Sequence, residues 1–179
     1  MDRTHLSVLE REIAHLKSLA DRAMAQLDDR EFFTPLDSQS NSVANLVKHV
    51  AGNARSRWTE LLTSDGEKPD RHRDREFEIG EDDTREALLE AWEDGWRRFR
   101  DALAPLSDAD LARTVTIRTE PHTVLHAIVR QIGHYGQHVG QILMMAKHLR
   151  GTTWQTLSIP KGESQAWIGR ARPHPGETV

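Results

Sequence analysis

The 179-residue sequence contains no cysteine. Disulfides, thiolate metal sites and cysteine nucleophiles are therefore excluded, and a transition metal, if bound, must be held by imidazole and carboxylate. No run approaches the roughly 20 apolar residues of a membrane-spanning helix, so no membrane role is expected. Neither sign of charge dominates, with 24 Lys and Arg against 28 Asp and Glu, and nothing draws the chain toward nucleic acid or anionic lipid. The basic residues Arg71, His72, Arg73 and Arg75 are interleaved with Asp70, Asp74 and Glu76 and form no positive stripe. The opening MDRTHLSVLERE is charged from its second residue and lacks an apolar stretch, so a cytoplasmic protein without a secretory leader is expected. Against these absences stands one abundance, ten histidines.

The length fits one domain, 1–179. Four segments repeat apolar residues at helical spacing. The first runs from about Leu6 to Leu27. The second runs from about Ser42 to Leu62, with Asn41 or Ser42 as its N-cap. The third runs from about Thr84 to Leu103, with Trp92 and Trp96 one turn apart as core residues. The fourth runs from about Pro121, a suitable first-turn residue, to Arg150, with Gly151 just beyond its end. The fold class expected is all-α, a four-helix bundle with long loops. RTVTIRT at 113–119 alternates and reads as a short strand before the last helix. The charged connection from Ser64 to Asp83 reads as solvated. Trp154, Leu157, Ile159 and Trp167 argue for a packed C-terminal segment, and residues 172–179 for a frayed tail.

Among the histidines, His134 and His138 lie one turn apart on the fourth helix and can reach one ion from one face. His122 and His126 repeat that spacing, so spacing alone does not choose between a ligand pair and two solvated histidines. Position helps. The main apolar stripe of this helix is Leu125, Ile128, Ile132, Gly136, Val139 and Leu143. His134 and His138 share a second flank with Val124, Ala127, Ile142 and Met145, which implies that the flank is covered. His122, near the helix start, is expected at the surface. Tyr135 points about 100° away from His134 and is read as core. On the second helix, His49, Asn53 and Arg57 line one polar face. Either it meets the fourth helix at a metal site or polar pocket, or it is a salt-bridged edge facing solvent.

The stretches NSVANLVKHVAGNARSRWTELLTSDGEKPDRHRDREFE, IRTEPHTVLHAIVRQIGHYGQHVGQILMMAKHLRG and WQTLSIPKGES resemble the DinB-like (YfiT-like) superfamily, and within it an uncharacterised branch of metal-dependent enzymes. HVAGNARSRW and HYGQHVGQI carry most of that likeness. The resemblance implies a DinB-type bundle in which His49, His134 and His138 hold one divalent metal per chain, commonly zinc or nickel. It also implies a homodimer, and a thiol S-transferase or isomerase that uses a low-molecular-weight thiol. Relatives in this branch often carry an acidic residue where this chain has His126, which leaves the role of position 126 open. The branch has no settled substrate, so the reaction does not travel with the fold.

Three imidazoles leave a divalent ion with open positions, as in catalytic sites. With no cysteine in the chain, any thiol must come from solution, and the expected reaction is transfer of that thiol to an electrophilic small-molecule substrate. Arg57 is the candidate for a carboxylate of thiol or substrate, or else pairs with an acid of the charged loop. Asn53 is expected to orient His49 or a bound water, and Lys161 with Ser164 to close over the site. A hydrolase using the same metal is the alternative, although residues 130–141 offer no carboxylate base. A non-catalytic, stress-response metal-binding bundle is the third reading.

Overall fold

The computed structural model describes residues 2–168, so the tail expected to fray lies outside the described residues. The chain is mostly helical and of the all-α class. Its α-helices are α1 (Thr4–Met24), α2 (Asp29–Phe33), α3 (Val43–Trp58), α4 (Arg85–Leu103), α5 (Val124–Arg150) and α6 (Ser164–Ile168). A hairpin of β1 (Thr114–Ile117) and β2 (Glu120–Thr123) precedes α5. None of the described helices is long and apolar enough to cross a membrane.

The helix ends follow local chemistry. Ser42 caps α3, its hydroxyl accepting from Asn45 N while the Asn45 side chain accepts from Ser42 N, which satisfies two orphan donors. Thr84 caps α4 in the same sense. At the start of α1 the N-cap residue Arg3 makes no capping bond; Asp2 Oδ1 accepts from Thr4 N. The Asp108 carboxylate, about a hundred residues away, accepts from the next two, His5 N and Leu6 N. Gly151, at φ 52°, ends α5.

The start of α5 corrects the expectation. Pro121 is not in the helix; it lies in β2 opposite Thr116, where its missing N–H is tolerated in an edge strand. The helix begins three residues later, where the Thr123 hydroxyl accepts from His126 N. The strand expected at 113–119 is present over 114–117 and has this unforeseen partner. Between the strands Arg118 and Thr119 sit at φ 55° and 65°, a left-handed pair of the kind two-residue hairpins need. Their backbone N–H groups both donate to Asp65, at 2.8 Å each, which ties the hairpin to the loop after α3.

The core lies where α1 packs on α5 and α3 on α4, with α3 also meeting α5. Trp58, Trp92 and Tyr135 are almost fully enclosed in it. Each such side chain contributes roughly 1.5–3 kcal/mol by burial, and the expectation that Trp92, Trp96 and Tyr135 are core holds. The inward face of α5 differs from the one that hydropathy picks out. Val124, Ala127, Ile128, Gln131, Tyr135, Val139, Ile142 and Met145 are buried, while Leu125 is 43% exposed. The cause is polar pairing inside the core. Trp58 Nε1 donates to the Tyr135 hydroxyl at 2.9 Å, Gln131 Nε2 donates to that hydroxyl at 3.1 Å, and Gln131 also donates to Asn53 Oδ1. The helix is turned to bury a Gln and a Tyr that have partners rather than a leucine. Beyond α5, Trp154 and Leu157 pack on the core, and Gln155 exchanges hydrogen bonds with Gln26, just past the end of α1; Ile159 stays 41% exposed.

Candidate metal centre

On α3, residues 49, 53 and 57 fall one turn apart and face α5. On α5, residues 130, 134 and 138 do the same. Where the two rows meet, His49 Nε2 lies 3.2 Å from His134 Nε2, and His138 Nε2 lies 3.1 Å from it. All three ligand atoms fall within 4.8 Å of one another, close enough to hold one metal ion. His49 is buried, and His134 and His138 are half-buried. Among the described residues no other group of three or more His or carboxylate side chains converges in this way.

The protons on these rings are set by their other partners. Glu76 Oε2 lies 2.8 Å from His49 Nδ1, and Glu76 is itself held by Arg71 through two bonds of 2.8 Å. Burial alone would raise the Glu76 pKa, but the hydrogen bonds from Arg71 and then His49 outweigh it and hold it below the usual range. An ionised carboxylate only accepts, so His49 Nδ1 carries a proton and Nε2 is the nitrogen left to serve as a ligand. His138 Nδ1 likewise donates to Gln141 Oε1 at 2.9 Å, which leaves its Nε2 lone pair facing inward. His134 Nδ1 is buried without a partner. Burial, then the neighbouring His138 and His49, push the His134 pKa down to about 3, and burial lowers that of His138. Three imidazoles whose Nε2 atoms converge on one point are a donor set suited to a borderline divalent cation. Glu76 on His49 is the carboxylate–histidine arrangement that orients metal ligands.

Glu76 comes from the loop expected to be solvated, and this is the main correction to the sequence reading. Residues Arg73–Phe77 form a 3-10 turn packed on α3, and the Arg71 side chain is 2% exposed. Phe77 stacks on the His49 ring at 4.6 Å. Asn45 Nδ2 donates to Phe77 O at 2.7 Å, and Lys48 Nζ to Glu78 O at 2.8 Å, so α3 clamps the turn from below. A Cβ on Gly52 would come within 2.5 Å of Glu76 Oε1. Glycine there opens the helix surface to the carboxylate, and a glycine inside a helical pattern is the signal that could have pointed to a close approach.

Other expectations fare differently. Arg57 faces the same site. Asn53 lines it but bonds Gln131 rather than His49; the role expected of it falls to Glu76. His126 is exposed and faces His122, not the triad. His122 is not a surface residue: it lies in β2 and its side chain is only 11% exposed, because the strand turns the ring against α5. Lys161 and Ser164 are exposed and do not line the triad cavity; the 154–157 stretch before them is fastened to α1.

A family model described as a protein of unknown function (DUF1572) matches residues 1–163. The chain belongs to the DUF1572 family. That family has no stated activity, so chemistry has to be argued from the site. No curated protein and no solved structure matches the chain.

Beside the triad lies a cavity of about 420 Å³ lined by His49, His134, Asn53, Arg57, Arg130 and Gln131, among others, with no carboxylate in its wall. The volume is in the range of small-molecule sites.

Proposed function

We propose that this DUF1572 protein is a metal-dependent enzyme of the DinB-like type, its long helices forming a four-helix bundle around one divalent ion, with zinc or nickel the ions best matched to three imidazoles. The carrying observation is the convergence of three imidazole nitrogens within 4.8 Å of one another, with Glu76 behind His49 and Gln141 behind His138. When bound, such an ion supplies a Lewis-acid position that holds a thiol as thiolate. The protein's own part is to keep His134 and His138 neutral, to fix His49 through Glu76, and to admit a small molecule through the cavity beside His134. The reaction we assign is transfer of a low-molecular-weight thiol to an electrophilic small-molecule substrate. Two features favour it over the alternatives. A hydrolase wants a carboxylate base facing the ion, whereas Glu76 is spent on His49 and Arg71 and no acid lines the cavity. A closed, non-catalytic site wants a fourth protein ligand, and none joins the three histidines among the described residues. Self-association through α5 belongs to the same reading, since Leu125, Val129 and Met144 are 43%, 49% and 59% exposed along it.

The test is direct. Chain loaded with zinc or with nickel is incubated with a panel of small thiols and electrophiles, and thiol consumption is followed. Consumption that needs both metal and protein, and is lost in His134→Ala, is expected. No consumption with any thiol would overturn the transferase assignment.

A further inference from the structure

Arg57 is 2% exposed, yet it has no hydrogen-bond partner among the described residues. Its Nε and NH1 atoms are buried and unpaired, and its closest carboxylate, Glu67, stands 3.8 Å from NH2. Glu67 gives the guanidinium one long ion pair and no hydrogen bond; buried N–H groups without acceptors are costly, and Nε and NH1 call for acceptors that the described residues do not supply.

The surroundings sharpen the demand. Five guanidiniums line the cavity, those of Arg57, Arg71, Arg73, Arg118 and Arg130. The acids within reach are Glu67 and Glu76, and these are already engaged by Arg71 and Arg118. Arg130, one turn before His134, has no ion pair or hydrogen bond among the described residues and adds repulsion at Arg57. Burial first, with Arg130 and Arg71 contributing, lowers the Arg57 pKa to about 10. The position of Arg57 is also fixed from behind. A Cβ on Gly66 would fall 2.8 Å from its NH1, and Gly66 is pinned by Ser56 Oγ on its carbonyl and by its own N–H on Thr116 O. The loop gives up a side chain so that the guanidinium can lie against it.

We propose that Arg57 and Arg130 form an oxyanion subsite, binding the carboxylate or phosphate group of a small molecule whose other end reaches the histidine triad. A guanidinium fork matches either group with paired hydrogen bonds, and the amides of Asn53, Gln131 and Gln137 complete a polar wall. Naming the ligand's far end rests on the metal-site reading above. The anion subsite itself does not, and the experiment separates the two.

Inorganic phosphate and succinate are titrated calorimetrically into the full chain in 0.15 M salt, metal-free and zinc-loaded. One anion per chain is expected to bind in both forms. Arg57→Gln and Arg130→Gln each weaken binding tenfold or more, while Arg97→Gln on the outer face of α4 leaves it unchanged. Arg130 is exposed, so that variant keeps its fold even if Arg57→Gln does not. His138→Ala retains anion binding in the metal-free form; loss of metal there with anion affinity intact shows that the subsite stands without the ion. The tighter of the two probes identifies the group recognised. No binding of either probe, or equal affinity in the parent chain and both arginine variants, overturns the proposal even if zinc binds as expected.

Discussion

Two histidine pairs in this chain share one spacing and have opposite settings. His122 and His126 are four residues apart, as are His134 and His138, and their ring centroids are 4.9 Å and 4.7 Å apart. At the first pair, His122 turns Nδ1 toward His126 and Nε2 toward Glu120, whose carboxylate stands 3.9 Å away. The three groups use different edges of one ring and share no common point. At the second pair, Nε2 of both rings faces inward, α3 delivers a third Nε2, and Glu76 and Gln141 stand behind the Nδ1 atoms of His49 and His138. Spacing creates the opportunity for a ligand pair. The opposing helix and the groups behind the rings decide whether it becomes one.

The largest test of this contrast is metal content. Single alanine substitutions at His49, His134 or His138 should take bound zinc or nickel from one per chain to near zero by elemental analysis. His122→Ala and His126→Ala should leave it at one. Retention of metal by His49→Ala would break the triad assignment, and loss of metal in His126→Ala would mean that the two pairs are coupled.

A smaller effect should follow from Glu76→Gln. The amide can no longer demand the Nδ1 proton of His49, and Arg71 loses a charged partner. Metal affinity should weaken about 10- to 100-fold, the usual cost of losing such a support, while Glu120→Gln beside the other pair changes nothing. Competition against a chromophoric chelator reads both. Equal affinities in the parent chain and Glu76→Gln would reduce Glu76 to a packing residue.

What the sequence made legible follows the same division. The parts of the triad are local, His134 and His138 sharing a helical spacing and His49 the polar edge of a helix, but spacing leaves both open and it is the resemblance of the surrounding stretches that singles these three out. The long helices and several caps, Ser42 and Thr84 among them, are likewise encoded within a few residues. Glu76 and Arg71 could not be found, because their loop has no period and its alternating charge looks the same solvated or clamped. Only contact with Asn45, Lys48 and Gly52 gives it shape. Pro121 misled because a proline suits the first turn of a helix and also an edge strand, and the choice was made by pairing with Thr116. The face of α5 misled because hydropathy undervalues Gln131, whose amide finds Asn53 only after α3 has docked.

The smallest effect, and the one that isolates the protein from the metal, is the pH dependence of the chelator-treated chain. In the unfolded chain His134 titrates near its ordinary 6.5, whereas in the fold it stays neutral down to about 3. Above 6.5 neither state binds that proton, and His134 contributes no slope. Between 6.5 and 3 the unfolded chain takes up a proton that the native site refuses, so stability falls as pH falls through this window. His138, lowered in the same direction, adds to the slope. Because both rings are only half-buried, solvent screening trims the effect to a few °C of melting temperature between pH 7.5 and 5. His134→Gln should flatten this slope relative to the parent, whereas His126→Gln should leave it unchanged. If the two variants lose the same slope, the triad is no more desolvated than the outer pair, and the contrast between them reduces to the presence of His49 alone.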